Sequence, residues 1–115
     1  MAISEFEIKR CEKQLDNFLM KHRPPVEIRT RLDIAYRINN QSVEIFEVSP
    51  KWDDATEVVE NNVAKATYVK SKKHWEIYWQ RADLKWHSYK PYPTTKNIED
   101  FLELIGVDEH ACFFG

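Results

Sequence analysis

Apolar residues recur at helical spacing in the first stretch of the chain. Ile8, Cys11, Leu15, Phe18 and Leu19 fall on one stripe, which predicts a helix over about Glu5 to Lys21. Ser4 and Glu7 fit a capping box, in which a hydroxyl and a carboxylate satisfy reciprocal backbone N–H groups. Arg23-Pro24-Pro25 stops the helix, because proline lacks a donor and restricts the residue before it. The period then changes to two. Leu32, Ile34, Tyr36 and Ile38 alternate with Asp33, Ala35 and Arg37, and a return strand runs from about Ser42 to Val48. The turn is Asn39-Asn40 or Asn40-Gln41, and both give the same faces. One face carries Leu32, Ile34, Tyr36, Ile38, Val43, Ile45 and Glu47; the other carries Asp33, Ala35, Arg37, Glu44, Phe46 and Val48.

Lys51 to Asn62 loses this alternation and reads as a polar, mobile connection, with Asp53-Asp54 as a turn and Glu57 to Asn62 as a helical turn or loop. Three aromatic and β-branched runs follow, Val63–Lys70, Trp75–Gln80 and Leu84–Tyr89, and predict a meander. With Ala82-Asp83 as a two-residue turn, Trp79 faces Trp86 on the side of Trp75 and Ile77. Tyr78 then faces His87 on the other side, with Tyr89. The turn at Ser71-Lys72-Lys73 leaves two registers open. A two-residue loop puts Ala66 and Tyr68 with the tryptophans, and a three-residue loop puts Thr67 and Val69 there. Pro91 and Pro93 end the meander. A second helix is expected over Ile98 to Ile105, capped by Asn97, stopped by Gly106, and inward-facing at Ile98, Phe101, Leu102 and Ile105. The terminal Phe113 and Phe114 are costly in water, so the tail is expected to dock on the body.

Together these elements predict one α+β domain over residues 1–115. Its antiparallel sheet has about five strands, a hairpin plus a three-stranded meander, with an N-terminal and a C-terminal helix. The expected core sets Ile34, Tyr36, Ile45, Ile77, Trp79 and Trp86 against Leu15, Phe18 and Phe101. A chain of 115 residues with 43% hydrophobic and 13% aromatic content suits a single modest core. Only two glycines are present, which excludes a Gly-rich phosphate loop and forces positive φ angles onto Asn, Asp or strained residues. Met1–Arg10 reads as the start of a charged amphipathic helix rather than a secretory leader, and no apolar run approaches the ~20 residues of a membrane span. Cys11 and Cys112 are therefore expected as free thiols in the cytoplasm.

Net charge is −2, but it is unevenly spread. Between Val63 and Lys96 stand eight basic residues against two acids, a local +6 that leaves −8 for the rest of the chain. Such asymmetry points to a polyanionic partner. The run Val63-Ala64-Lys65, the stretch Tyr78-Trp79-Gln80-Arg81-Ala82-Asp83-Leu84-Lys85-Trp86-His87-Ser88-Tyr89 and the closing Phe113-Phe114-Gly115 resemble the bacterial family catalogued as domain of unknown function 3024. Tyr36-Arg37, Phe46-Glu47 and the Pro24-Pro25 break extend the likeness over nearly the whole chain. The resemblance implies a bacterial, cytoplasmic, free-standing small protein and carries over no functional residue.

Candidate chemistry is sparse. His87 opposite Tyr78 offers a titratable pair for acid–base work, and equally a cross-strand aromatic pair that only stabilises the sheet. Glu47 on an apolar face needs a partner, for which Arg81, Lys65 or His87 is available, unless it reaches water at the sheet edge. His22, His74, His87, His110, Cys11 and Cys112 show no metal-ligand spacing. Glu44 and Asp33 point away from Glu47, against a nuclease-like acidic cluster. There is no nucleophile elbow, and no metal or other cofactor is expected. The best remaining signal is Lys65, Lys70, Lys72, Lys73, Tyr78, Lys85, His87 and Tyr89, where cations and aromatic rings interleave as single-stranded nucleic acid requires. The leading expectation is a non-catalytic binding module for a polyanion. The alternatives are a small enzyme using His87 with Tyr78 or Glu47, and a homo-oligomeric or adaptor protein.

Overall fold

A computed structural model describes residues 4–109 and 112–114. The elements are α1 (Glu5–His22), β1 (Asp33–Asn39), β2 (Ser42–Lys51), β3 (Asp54–Val69), β4 (His74–Gln80), β5 (Trp86–Ser88), β6 (Thr94–Thr95) and α2 (Ile98–Val107). The sheet is antiparallel, in the order β1-β2-β3-β4-β5, with β6 on β4 beside β5. This is the expected α+β architecture with one additional short strand, β6.

Helix α1 starts where Ser4 Oγ accepts a hydrogen bond from the Glu7 amide at 3.3 Å. It ends at Arg23, whose extended backbone (φ −66°, ψ 136°) is the conformation that a following proline imposes. Arg23 then grips Asp33 with two hydrogen bonds of 2.7 Å, tying the helix end to the start of β1. Tyr36 Oη donates to Asp16 at 3.1 Å and joins β1 to the helix again. Both helices cover one sheet face. Cys11, Leu15 and Phe18 of α1, with Ile98, Phe101, Leu102 and Ile105 of α2, pack on Ile34, Val43, Ile45, Ala64, Ala66, Trp75 and Ile77. Phe113 docks as expected, 4.8 Å from the Tyr89 ring centroid.

Four local expectations are corrected. First, Lys51 to Asn62 is neither loop nor helical turn. β2 runs through Lys51, Trp52-Asp53 forms a tight turn, and β3 begins at Asp54. Ser49 pairs with Val59 and Pro50 with Val58. Lys51 to Asn61 is exposed on both faces wherever burial is described, so no alternation marks this two-stranded arm in the sequence. Pro50 is tolerated because β1 reaches only to the partner of Val48, leaving β2 at the sheet edge beyond it.

Second, the β4–β5 connection is five residues, Arg81 to Lys85, not two. Arg81 N donates to Lys85 O, Leu84 N donates to Arg81 O, and Leu84 sits at φ 62°. Tyr78 therefore pairs with Ser88, Trp79 with His87 and Gln80 with Trp86. Relative to the expected register, this one-residue shift turns every β5 side chain to the other face. Trp86 leaves the core side, and His87 and Tyr89 join it.

Third, the β3–β4 turn has four residues, Lys70 to Lys73, with Val69 paired to His74. Its even length gives the faces of the two-residue alternative, with Ala66 and Tyr68 beside Ile77 and Trp75. Fourth, Gly106 does not stop α2. The helix continues to Val107 and ends on Asp108 at φ 48°, whose carboxylate accepts from the Phe113 and Phe114 amides at 3.1 and 2.8 Å. The tail anchor and the helix cap are thus one residue. Gly106 serves instead as a point of close approach to His22.

Candidate polyanion-binding surface

The uncovered sheet face is assembled by the register of β3, β4 and β5. Lys65 is opposite Glu44 on one side and Tyr78 on the other. Its ammonium lies 5.2 Å from the Tyr78 ring centroid and 4.9 Å from that of Trp86, within cation–π range of both. Tyr78 Oη donates to Glu76 at 2.9 Å. Burial, and then that carboxylate, push the phenol pKa up, so Tyr78 remains a hydrogen-bond donor at neutral pH. Farther along the same face, the Arg37 guanidinium covers the buried Phe46 ring at 4.1 Å and pairs with Glu60 at 2.7 Å.

The remaining basic candidates cluster at the ends of β4. Lys70, Lys72 and Lys73 occupy the turn before it, and Arg81 and Lys85 the loop after it. Seven residues of strand separate the two groups by about 20 Å. Arg10, Arg23, Arg37 and Lys51 each meet a carboxylate within 4.0 Å. Among the described residues, none of the eight Lys and Arg between Val63 and Lys96 does. Among the described residues no ion pair offsets the local +6.

Other candidates fare differently. Tyr89 is 1% exposed and packs on Phe113, so its ring is not available to stack on a base. His87 does not face Tyr78. Its Nε2 stands 2.8 Å from Asp83 Oδ2, and it lies beside Trp79 on the other face. Asp83, accepting from the Lys85 amide and then from His87, is held below the usual carboxylate range. Glu47 lies between Ile34 and Asn61, opposite Lys65 across the sheet. Burial raises its pKa, and among the described residues it has neither a hydrogen-bond nor an ion-pair partner. The constellation His87–Tyr78–Glu47 is not assembled.

Trp86 is the residue that sequence reasoning misassigned to the core. The available signal was Asp83, whose carboxylate bonds the Lys85 amide at 2.9 Å and stabilises a loop longer than two residues. Cys11 and Cys112 are unbridged, and burial pushes the Cys11 thiol up to about 11, away from thiolate chemistry. Among the described residues no group of three or more His, Cys, Asp or Glu side chains is placed to hold a metal, and no helix is long and apolar enough to cross a membrane. His110 lies outside the described residues.

The chain matches Domain of unknown function (DUF3024) over residues 3–115 and belongs to that family. No curated protein and no solved structure matches it.

Proposed function

We propose that this domain is a non-catalytic module that binds single-stranded nucleic acid through the Lys65–Tyr78–Trp86 face and the two basic connections that flank β4. The observation that carries the reading is the concentration of eight cations in a stretch with only two acids, none of the eight ion-paired with a carboxylate among the described residues. Phosphates take the place of the missing carboxylates, and release of condensed counterions supplies the affinity. Lys65 exchanges its cation–π contacts for a phosphate, which frees Tyr78 and Trp86 to stack on unpaired bases. The two unbridged thiols agree with a reducing bacterial cytoplasm as its setting. Fluorescence anisotropy with a labelled mixed-sequence single strand tests this. The logarithm of affinity should fall linearly with that of salt, with a slope of about −0.7 per phosphate neutralised. No binding at the lowest salt, where the electrostatic term is largest, overturns the reading.

A second reading, a homo-oligomer or adaptor, rests on the arm. Trp52 at its tip is 94% exposed, and among the described residues β3 between Asp54 and Asn62 has no strand on its outer edge. Light scattering that returns the mass of a single chain at high concentration removes the homo-oligomer.

A further inference from the structure

Where β5 leaves the sheet edge, a concavity of about 370 Å³ opens on the helix-covered side. Its lining is Trp79, Arg81, His87, Ser88, Tyr89, Lys90, Pro91 and Cys112, with no carboxylate among the described residues. Of the acids around it, Asp83 is engaged by His87 Nε2 at 2.8 Å and by the Lys85 amide at 2.9 Å, and Asp108, which acts on Tyr89 and Cys112 from the tail side, accepts from the Phe113 and Phe114 amides. Arg81 is held over the Trp79 ring, 5.6 Å from its centroid, so its guanidinium is placed before a ligand arrives. Pro91 and the partly buried Trp79 contribute apolar surface, while Arg81, Lys90, His87 and Ser88 supply donors.

We infer that this concavity binds a phosphate monoester together with the ring it carries, a unit the size of a nucleoside monophosphate. Cations that outnumber acids demand an anion. The volume exceeds what a phosphate alone fills and falls near the lower end of small-molecule sites, which run from about 300 to 1,000 Å³. The inference deepens the nucleic-acid reading, on which it rests for one source of the ester, the phosphorylated end of a strand. A free nucleotide is the other source. The site follows from the same register shift that removed His87 from Tyr78, since only that shift puts His87 on the side of Trp79.

The test uses the whole chain and follows the His87 ring and Arg81 side-chain resonances by NMR. The probes are inorganic phosphate, a nucleoside 5′-monophosphate, and one oligonucleotide with either a 5′-phosphate or a 5′-hydroxyl. Saturable shifts with the monophosphate are expected, with the phosphorylated strand binding about tenfold tighter than its hydroxyl twin, as an added charge-assisted contact gives. Arg81→Gln and Lys90→Gln, both at exposed positions, should bring that ratio to one. Equal affinity for the two strands, with no shift from the monophosphate, overturns the pocket and leaves the strand-binding reading standing. Shifts from the monophosphate without strand binding support the pocket as a free-nucleotide site and overturn the strand reading. Inorganic phosphate matching the monophosphate overturns the role given to the ring.

Discussion

Gly106→Ala isolates the contact between the two helices. Gly106 lies in α2 one residue before its last, where alanine is favoured over glycine by about 0.8–1.0 kcal/mol. The added Cβ would stand 3.1 Å from His22 Nε2, 3.3 Å from His22 Cε1 and 3.7 Å from Phe18 Cε2. The Phe18 contact is ordinary, so His22 alone must give way. That ring is stacked on Phe18, with centroids 4.4 Å apart and planes 30° from parallel. Moving it sacrifices part of an aromatic contact worth about 0.5–1.5 kcal/mol. Gain and loss then nearly cancel, and the single substitution should fall within about 0.5 kcal/mol of the starting protein. In a His22→Ala background the obstruction is gone, and Gly106→Ala should stabilise by about 1 kcal/mol. Urea unfolding of the four proteins of this cycle, at a common m value, gives the coupling directly. Equal stabilisation in both backgrounds would refute the idea that His22 confines this position. Destabilisation in the His22→Ala background would show that the space belongs to Phe18 instead.

Glu47→Gln should raise stability at neutral pH. Burial lifts the folded carboxyl pKa, so the folded state binds its proton more tightly; that advantage is complete below the unfolded pKa and is lost as pH rises through the folded one. The gain from glutamine should therefore vanish in acid, and a gain independent of pH in denaturant titrations would contradict the cause given. Asp108→Gly relieves about 1 kcal/mol of left-handed strain but removes both tail hydrogen bonds, each worth about 1.5–3 kcal/mol, so a net loss is expected with faster amide exchange at Phe113 and Phe114. Trp52→Ala should change stability by less than about 0.5 kcal/mol. Trp75→Ala, at a position 3% exposed, should cost about 3–5 kcal/mol by the same denaturation assay.

The legible parts of the fold are those where burial imposes a period. Cys11, Leu15 and Phe18 mark α1, and Ile98, Phe101, Leu102 and Ile105 mark α2, because each set faces one sheet. Ile34, Val43 and Ile45 mark the first hairpin for the same reason. The arm lacks that constraint: Glu57, Val58, Val59 and Glu60 are all exposed, and its strands are held by backbone pairing that composition does not report. β6 is only Thr94-Thr95, held partly by the bond from Ile77 N to Pro93 O, and two residues carry no period at all.

The β5 register is the case that matters for the site, and its difficulty follows from glycine scarcity. Positive φ angles fall on Asn40, Lys73, Leu84 and Asp108. Asn40 and Asp108 belong to residue types that tolerate the left-handed region, and the Asn40 turn was within reach of sequence reasoning. Leu84 is not such a type, and no rule of turn composition selects it. Its side chain is 77% exposed, so packing does not account for its conformation. Local bonds remain: Leu84 N to Arg81 O, Arg81 N to Lys85 O, Gln80 Nε2 to Leu84 O, and Asp83 to the Lys85 amide and His87. Five hydrogen bonds around one strained residue lengthen the loop beyond the two-residue turn. That length carries Trp86 to Lys65 and His87 to Trp79, so both proposed ligand surfaces depend on the conformation of Arg81 to Lys85.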